Sequence, residues 1–152
     1  MKLSLPQLVE LARGHGFPNP ELAASVAMAE SGGDAAAVHD SRAQVVFPPG
    51  VGPELSIGLW QVNVQPNANP QYAAWDLTNP DANATAAFQI SSGGRVWKPW
   101  STFNSGAYRQ YYREVRPLGP NAKRVAPVLA VTVVAGLATI AGYAALQRRR
   151  FA

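Results

Sequence analysis

The chain contains no cysteine, only two histidines, and no acidic side chain in its last 28 residues. Lack of Cys excludes disulfides, thiol nucleophiles and thiolate metal sites together. His15 and His39 stand alone, outside any spaced ligand set, so both read as surface or capping residues and neither a metal nor another cofactor is expected. An apolar leader is also missing: the opening MKLSLPQLVELARGHG has the spacing of an amphipathic helix, not of a secretion signal. Excess charge of one sign is scarce in most of the chain. Residues 1–124 hold ten basic and nine acidic side chains, whereas Arg148, Arg149 and Arg150 supply three of the four net positive charges. A nearly neutral body with a basic tail is not a nucleic-acid binder.

What is present includes one long uncharged run. Residues 125–146, VAPVLAVTVVAGLATIAGYAAL, are 22 positions without a charge. As a helix they would span roughly 33 Å, enough for a hydrocarbon core of about 30 Å. Pro127 stands near the start, where a missing N–H is tolerated. Gly136 and Gly142 are at home in membrane helices, and Tyr143 falls where an interfacial aromatic would. Lys123 and Arg124 flank one end and the three Arg the other, a mild bias towards an interior C-terminus. The expectation is a single-pass C-terminal anchor in a lipid membrane.

Ahead of it, the 152 residues leave room for one domain of ordinary size. Leu5, Leu8, Val9, Leu11 and Ala12 recur at helical spacing, and Gly14 and Gly16 close the element. Residues 21–31, ELAASVAMAES, predict a second helix stopped by Gly32-Gly33. Residues 34–58, with Pro48-Pro49-Gly50 and Gly52-Pro53, read as loop, as does the turn-rich stretch 67–80. Helical spacing returns at 81–92, where Ala82, Ala86 and Ile90 share a face, and at 105–115, with Tyr108, Tyr111 and Tyr112 expected mainly in the core.

Chemistry centres on Glu30. It ends an apolar helix, after Val26-Ala27-Met28-Ala29, where partial withdrawal from water would raise its pKa. A carboxyl that keeps its proton near neutrality can protonate a glycosidic oxygen. Gln61, Asn63, Trp60, Trp97 and Trp100 add the polar groups and flat rings that sugar clefts use, although Trp60 suits a core equally well and Trp97 and Trp100 suit one better.

Four blocks follow one another in the chain: Glu30-Ser31-Gly32-Gly33; Ser56-Ile57-Gly58-Leu59-Trp60-Gln61-Val62-Asn63; Asn79-Pro80-Asp81-Ala82-Asn83-Ala84; and Trp97-Lys98-Pro99-Trp100-Ser101-Thr102-Phe103-Asn104-Ser105-Gly106. In this order they resemble the lysozyme-like soluble lytic transglycosylase family, which includes peptidoglycan-cleaving domains of phage virions, over roughly residues 8–112. The resemblance implies Glu30 as catalytic acid/base, Ser31 as a residue positioning it or the sugar, and Gln61 as a glycan contact near the scissile bond. Trp60, Asn63, Asn104 and Tyr108 complete the expected substrate-binding set, and Asn83 is expected to be structural. One departure stands out. The family's Tyr that hydrogen-bonds the Glu is Phe103 here, so Tyr108 or nothing is left to orient Glu30.

A lone catalytic Glu suits the transglycosylase route, in which the muramoyl 6-hydroxyl attacks its own anomeric carbon to give a 1,6-anhydro end. A hydrolase needs a second carboxylate. Asp34, Asp40 and Glu54 are near in sequence but none sits in a second motif, and Asp40 is the candidate to hold a water. The expected fold class is mainly α: a lysozyme-like helical domain with long loops at 1–116, a linker at 117–124, one transmembrane helix at 125–146 and a basic tail at 147–152. Expected partners are peptidoglycan glycan strands, lipid, and other virion membrane or vertex proteins, on a virion internal membrane or host envelope. An inactive peptidoglycan-binding module and a structural membrane protein of the virion are the alternatives.

Overall fold

A computed structural model describes residues 1–43 and 52–116. Their elements run α1 (Leu5–Gly14), α2 (Pro20–Ser31), β1 (Val38–Asp40), β2 (Leu55–Ile57), β3 (Val62–Asn63), a 3₁₀ turn (Pro70–Tyr72), α3 (Pro80–Ile90), α4 (Ser101–Ser105) and α5 (Arg109–Val115). The fold is helix-rich with one small sheet. These residues belong to a single unit, Met1–Pro117. The linker, membrane segment and basic tail expected at 117–152 lie outside the described residues, as does Pro48-Pro49-Gly50. No helix among the described residues is long and apolar enough to cross a membrane.

Helices α1, α2 and α3 each start where the sequence offers a capping residue with a proline at the first or second helical position. Asn19 precedes Pro20 and accepts from Leu22 N at 3.0 Å; Asn79 precedes Pro80 and accepts from the N–H groups of Asp81 and Ala82. Proline at the first helical position loses no hydrogen bond there, and the Asn side chain satisfies donors the helix cannot. Ser4 and Gln7 form a capping box at the head of α1. Helix α2 ends at Gly32, as its sequence requires.

Helix α2 is the central element. Ala23, Ala24, Ser25, Val26 and Ala27 are consecutive and all buried, so neighbours cover it on every side. Small side chains make that enclosure feasible, and the Ser25 hydroxyl is satisfied by Glu21 O at 2.6 Å. Leu5, Leu8, Val9 and Ala12 of α1, Ala84 and Ala87 of α3, and an aromatic group of Phe17, Trp60, Trp97 and Trp100 share the same core. Phe17 stacks on Trp60 and Trp97, both at 5.8 Å between centroids, and takes the edge of Phe88 at 5.1 Å.

Two expectations need correction. Residues 34–58 are not all loop: β1 and β2 pair antiparallel with Val38 opposite Ile57 and Asp40 opposite Leu55, and β2 pairs β3 with Ser56 opposite Asn63. Strands of two or three residues are too short to show alternation, and β1 is exposed throughout, so no periodicity reveals them. The helix expected over 105–115 begins only at Arg109, as α5, and a separate short helix, α4, ends at Ser105. Gly106 sits at φ 81°, a left-handed conformation that ends α4, and α5 begins three residues later.

Candidate active site

Glu30 leaves the last turn of α2 and lines a cleft of about 260 Å³ shared with Glu54, Gln61, Val62, Asn63, Asn69, Ile90, Pro99, Trp100 and Ser101. Three parts of the chain far apart in sequence therefore meet at one carboxyl: the end of α2, the β2–β3 hairpin and the start of α4.

The hairpin connection is Gly58-Leu59-Trp60-Gln61, and its shape follows from what its side chains must do. Leu59 and Trp60 are fully buried, which pulls the turn down onto α2. Trp60 Nε1 donates to Ala23 O at 3.0 Å, and Trp60 O accepts from Trp100 Nε1 at 2.7 Å. From α3, fully buried Asn83 braces the turn: Oδ1 accepts from Trp60 N at 2.8 Å, and Nδ2 donates to Ile57 O and Leu77 O at 2.8 and 3.1 Å. Gly58 passes so close that a Cβ would lie 2.2 Å from both Asn83 Nδ2 and Leu77 O, and its φ of 81° is one that L side chains rarely adopt. Gln61 also has positive φ, 45°, which is uncommon outside glycine and here is imposed by the braced turn. Its Nε2 donates to Gly58 O at 2.9 Å and Ala37 O at 3.2 Å, so the amide is oriented before any ligand arrives.

Around Glu30 opposing influences act. Burial disfavours its charged form and is the largest effect; Thr102 opposes it, with Oγ1 donating to Glu30 Oε1 at 2.5 Å and the backbone N–H reaching the same oxygen at 3.4 Å. The negative charge of Glu54 adds a further upward push, and the outcome is a pKa above the ordinary value of a glutamate. Glu54 itself is held by the Ser56 hydroxyl, across one residue of β2. A carboxyl whose pKa is raised in a polar cleft, with a second carboxylate nearby, is equipped for proton transfer.

The cleft brings together Glu30, Gln61 and Asn63 from the expected set. Trp60 is corrected: it is wholly enclosed, its indole N–H is bonded, and it offers no ring face to a ligand. Trp97 is likewise core, whereas Trp100, 5 % exposed, keeps an edge on the cleft. Ser31 is not turned to Glu30; its hydroxyl donates to Ala27 O and accepts from Gly33 N, closing α2. Asn104 donates to Lys98 O and stands outside the lining. Tyr108 does not orient Glu30 either; it stacks on Phe103 at 4.9 Å and packs against the core. Asp40 is exposed and paired with Arg42, which pulls its carboxyl down to about 2, and it does not line the cleft. The second carboxylate that the fold delivers is Glu54. Sequence reasoning gives Thr102 no role, though it directly precedes Phe103, where a bonding partner for Glu30 was already sought. Among the described residues no group of three His, Asp or Glu side chains is placed to hold a metal.

A family model described as a lysozyme-like domain matches residues 9–102, more than half of the chain. That match takes in Glu30, the hairpin, Asn83 and Thr102 and stops one residue before Phe103. No curated protein and no solved structure matches.

Proposed function

The chain belongs to the lysozyme-like domain family, and from that membership and the setting of Glu30 we propose that it cleaves the β-1,4 bond between N-acetylmuramic acid and N-acetylglucosamine in peptidoglycan, as a lytic transglycosylase. The observation that carries the reading is a part-buried carboxyl of raised pKa at the wall of a cleft in which the Gln61 amide is already oriented. Glu30 gives its proton to the glycosidic oxygen as the bond to the muramoyl anomeric carbon breaks. The resulting carboxylate then takes the proton of the muramoyl 6-hydroxyl while that oxygen attacks the anomeric carbon, which closes the 1,6-anhydro ring and restores the acid. Gln61 and Asn63 meet the sugars beside the scissile bond. No water is consumed.

Glu54 supports a second reading. A carboxylate in the same cleft is what a hydrolase uses to activate water or to hold the glycosyl intermediate. Mass spectrometry of purified peptidoglycan digested with the full chain separates the two: 1,6-anhydro-muramic ends mean transglycosylation, reducing ends mean hydrolysis. Loss of either product in Glu30→Gln ties the chemistry to that carboxyl, and a digest with no cleavage turns the reading to a binding or structural role.

Membrane anchoring through residues 125–146 completes the proposal. It rests on their 22 uncharged positions between basic flanks. A domain of this kind held on a membrane suits a virion that opens the wall locally during genome entry.

A further inference from the structure

We infer that the Thr102 hydroxyl is the positioning group for Glu30, holding the carboxyl by Oε1 in both of its protonation states so that Oε2 carries the transferred proton. The inference rests on the acid/base reading of Glu30 and adds the residue that makes it workable in this chain. Phe103 has no hydroxyl to offer, and its ring lies against Tyr108. Among the described residues every hydrogen bond to the Glu30 carboxyl comes from Thr102, and both its hydroxyl and its N–H address Oε1.

Three features fit Thr102 for this task. Its branched Cβ restricts χ1, so the backbone sets the aim of the hydroxyl. That backbone is itself fixed: Thr102 O accepts from Tyr108 N and from the Ser105 hydroxyl, and Trp100 two residues earlier is pinned to Trp60 O at 2.7 Å. The hairpin turn and the start of α4 are thereby tied to each other, so the glycan contact Gln61 and the support of Glu30 are placed by one continuous set of bonds. Finally, a hydroxyl can donate to Oε1 whether Oε2 bears a proton or not. A general acid that must act as a base in the next step needs that indifference, because its orientation has to survive loss of its own proton. Glu54, across the cleft, is the charged group that acts on Glu30 and is not bonded to it.

The test uses the full chain with Thr102→Val, which keeps the shape and loses the hydroxyl, and Thr102→Ser, which keeps the hydroxyl. Each is followed by peptidoglycan turnover and by the pH titration of ¹³Cδ-labelled glutamate, with Glu30→Gln assigning the resonance. Thr102→Val is expected to lower kcat roughly 10–100-fold with KM within about twofold of wild type, and Thr102→Ser to recover kcat to within about threefold. The Glu30 resonance should titrate at higher pH in Thr102→Val, since a bond favouring the charged form is gone, and return in Thr102→Ser. Wild-type kcat with an unmoved titration in Thr102→Val overturns the inference. So does a Thr102→Ser variant as impaired as the Val variant, which would make the methyl, and hence packing, the reason. Because the titration needs no turnover, it reports on Thr102 even where cleavage fails. An active Glu30→Gln enzyme overturns the acid/base reading itself.

Discussion

Burial and the charge of Glu54 push the Glu30 proton on, while Thr102 favours its departure; the balance leaves an acid of raised pKa. Replacing it should remove activity and alter stability in a defined direction. Glu30→Gln is expected to lower cleavage about a thousandfold, the usual order for loss of a general acid. Its folded pKa lies above the unfolded value of about 4.3, so folding takes up a proton and stability falls as pH rises through the folded value. The Gln variant lacks that loss. Its melting temperature should match wild type near pH 4 and exceed it at pH 8, which a thermal scan at both values checks. Glu54→Gln removes the smaller of the two upward pushes on the Glu30 pKa and leaves burial, the larger one, in place. Under transglycosylation it keeps cleavage and the anhydro product, and the alkaline limb of the pH–rate profile moves to lower pH. Loss of cleavage there would make Glu54 part of a hydrolytic pair.

The hairpin connection Gly58–Gln61 works as a unit because Asn83 binds it at Trp60 N, binds the end of β2 at Ile57 O, and ties both to Leu77 O ahead of α3. Asn83→Ala strands Trp60 N, Ile57 O and Leu77 O in a dry interior, where each unsatisfied group costs about 1–3 kcal/mol. We expect a loss of about 2–4 kcal/mol in urea unfolding, allowing for partial relaxation. Cleavage should fall further than stability explains, since Gln61 is carried by the same turn. This element was partly legible beforehand: Gly58-Leu59-Trp60-Gln61 stood out as a motif and Asn83 read as structural. The direction of Trp60 was not. A tryptophan beside a glycan-contacting Gln is as plausible on a sugar as in a core, and only its burial under Phe17, with its N–H spent on Ala23 O, decides between them.

At the scale of the whole molecule, the described residues form one compact unit that carries the Glu30 cleft, and the segment 125–146 is proposed to hold it on lipid. The full chain should stay with membranes through alkaline carbonate extraction, and deletion of residues 125–152 should release it. Extraction of the full chain would remove the anchor from the proposal.

Helices α1, α2 and α3, the Gly32-Gly33 stop, the acid at the end of α2 and the family resemblance were all readable along the chain. Each depends on neighbours three or four residues apart, or on motifs in serial order, and such local patterns survive in one dimension. The sheet was hidden because its strands are too short to alternate, and the break at Gly106 because one glycine does not declare its φ. Tertiary structure alone decided which carboxylate joins Glu30 and which hydroxyl holds it. Asp40 was the candidate to hold a water until the fold put it beside Arg42 in solvent and Glu54 in the cleft. Thr102 reaches Glu30 across 72 positions of sequence, a proximity set by core packing and written in no local pattern.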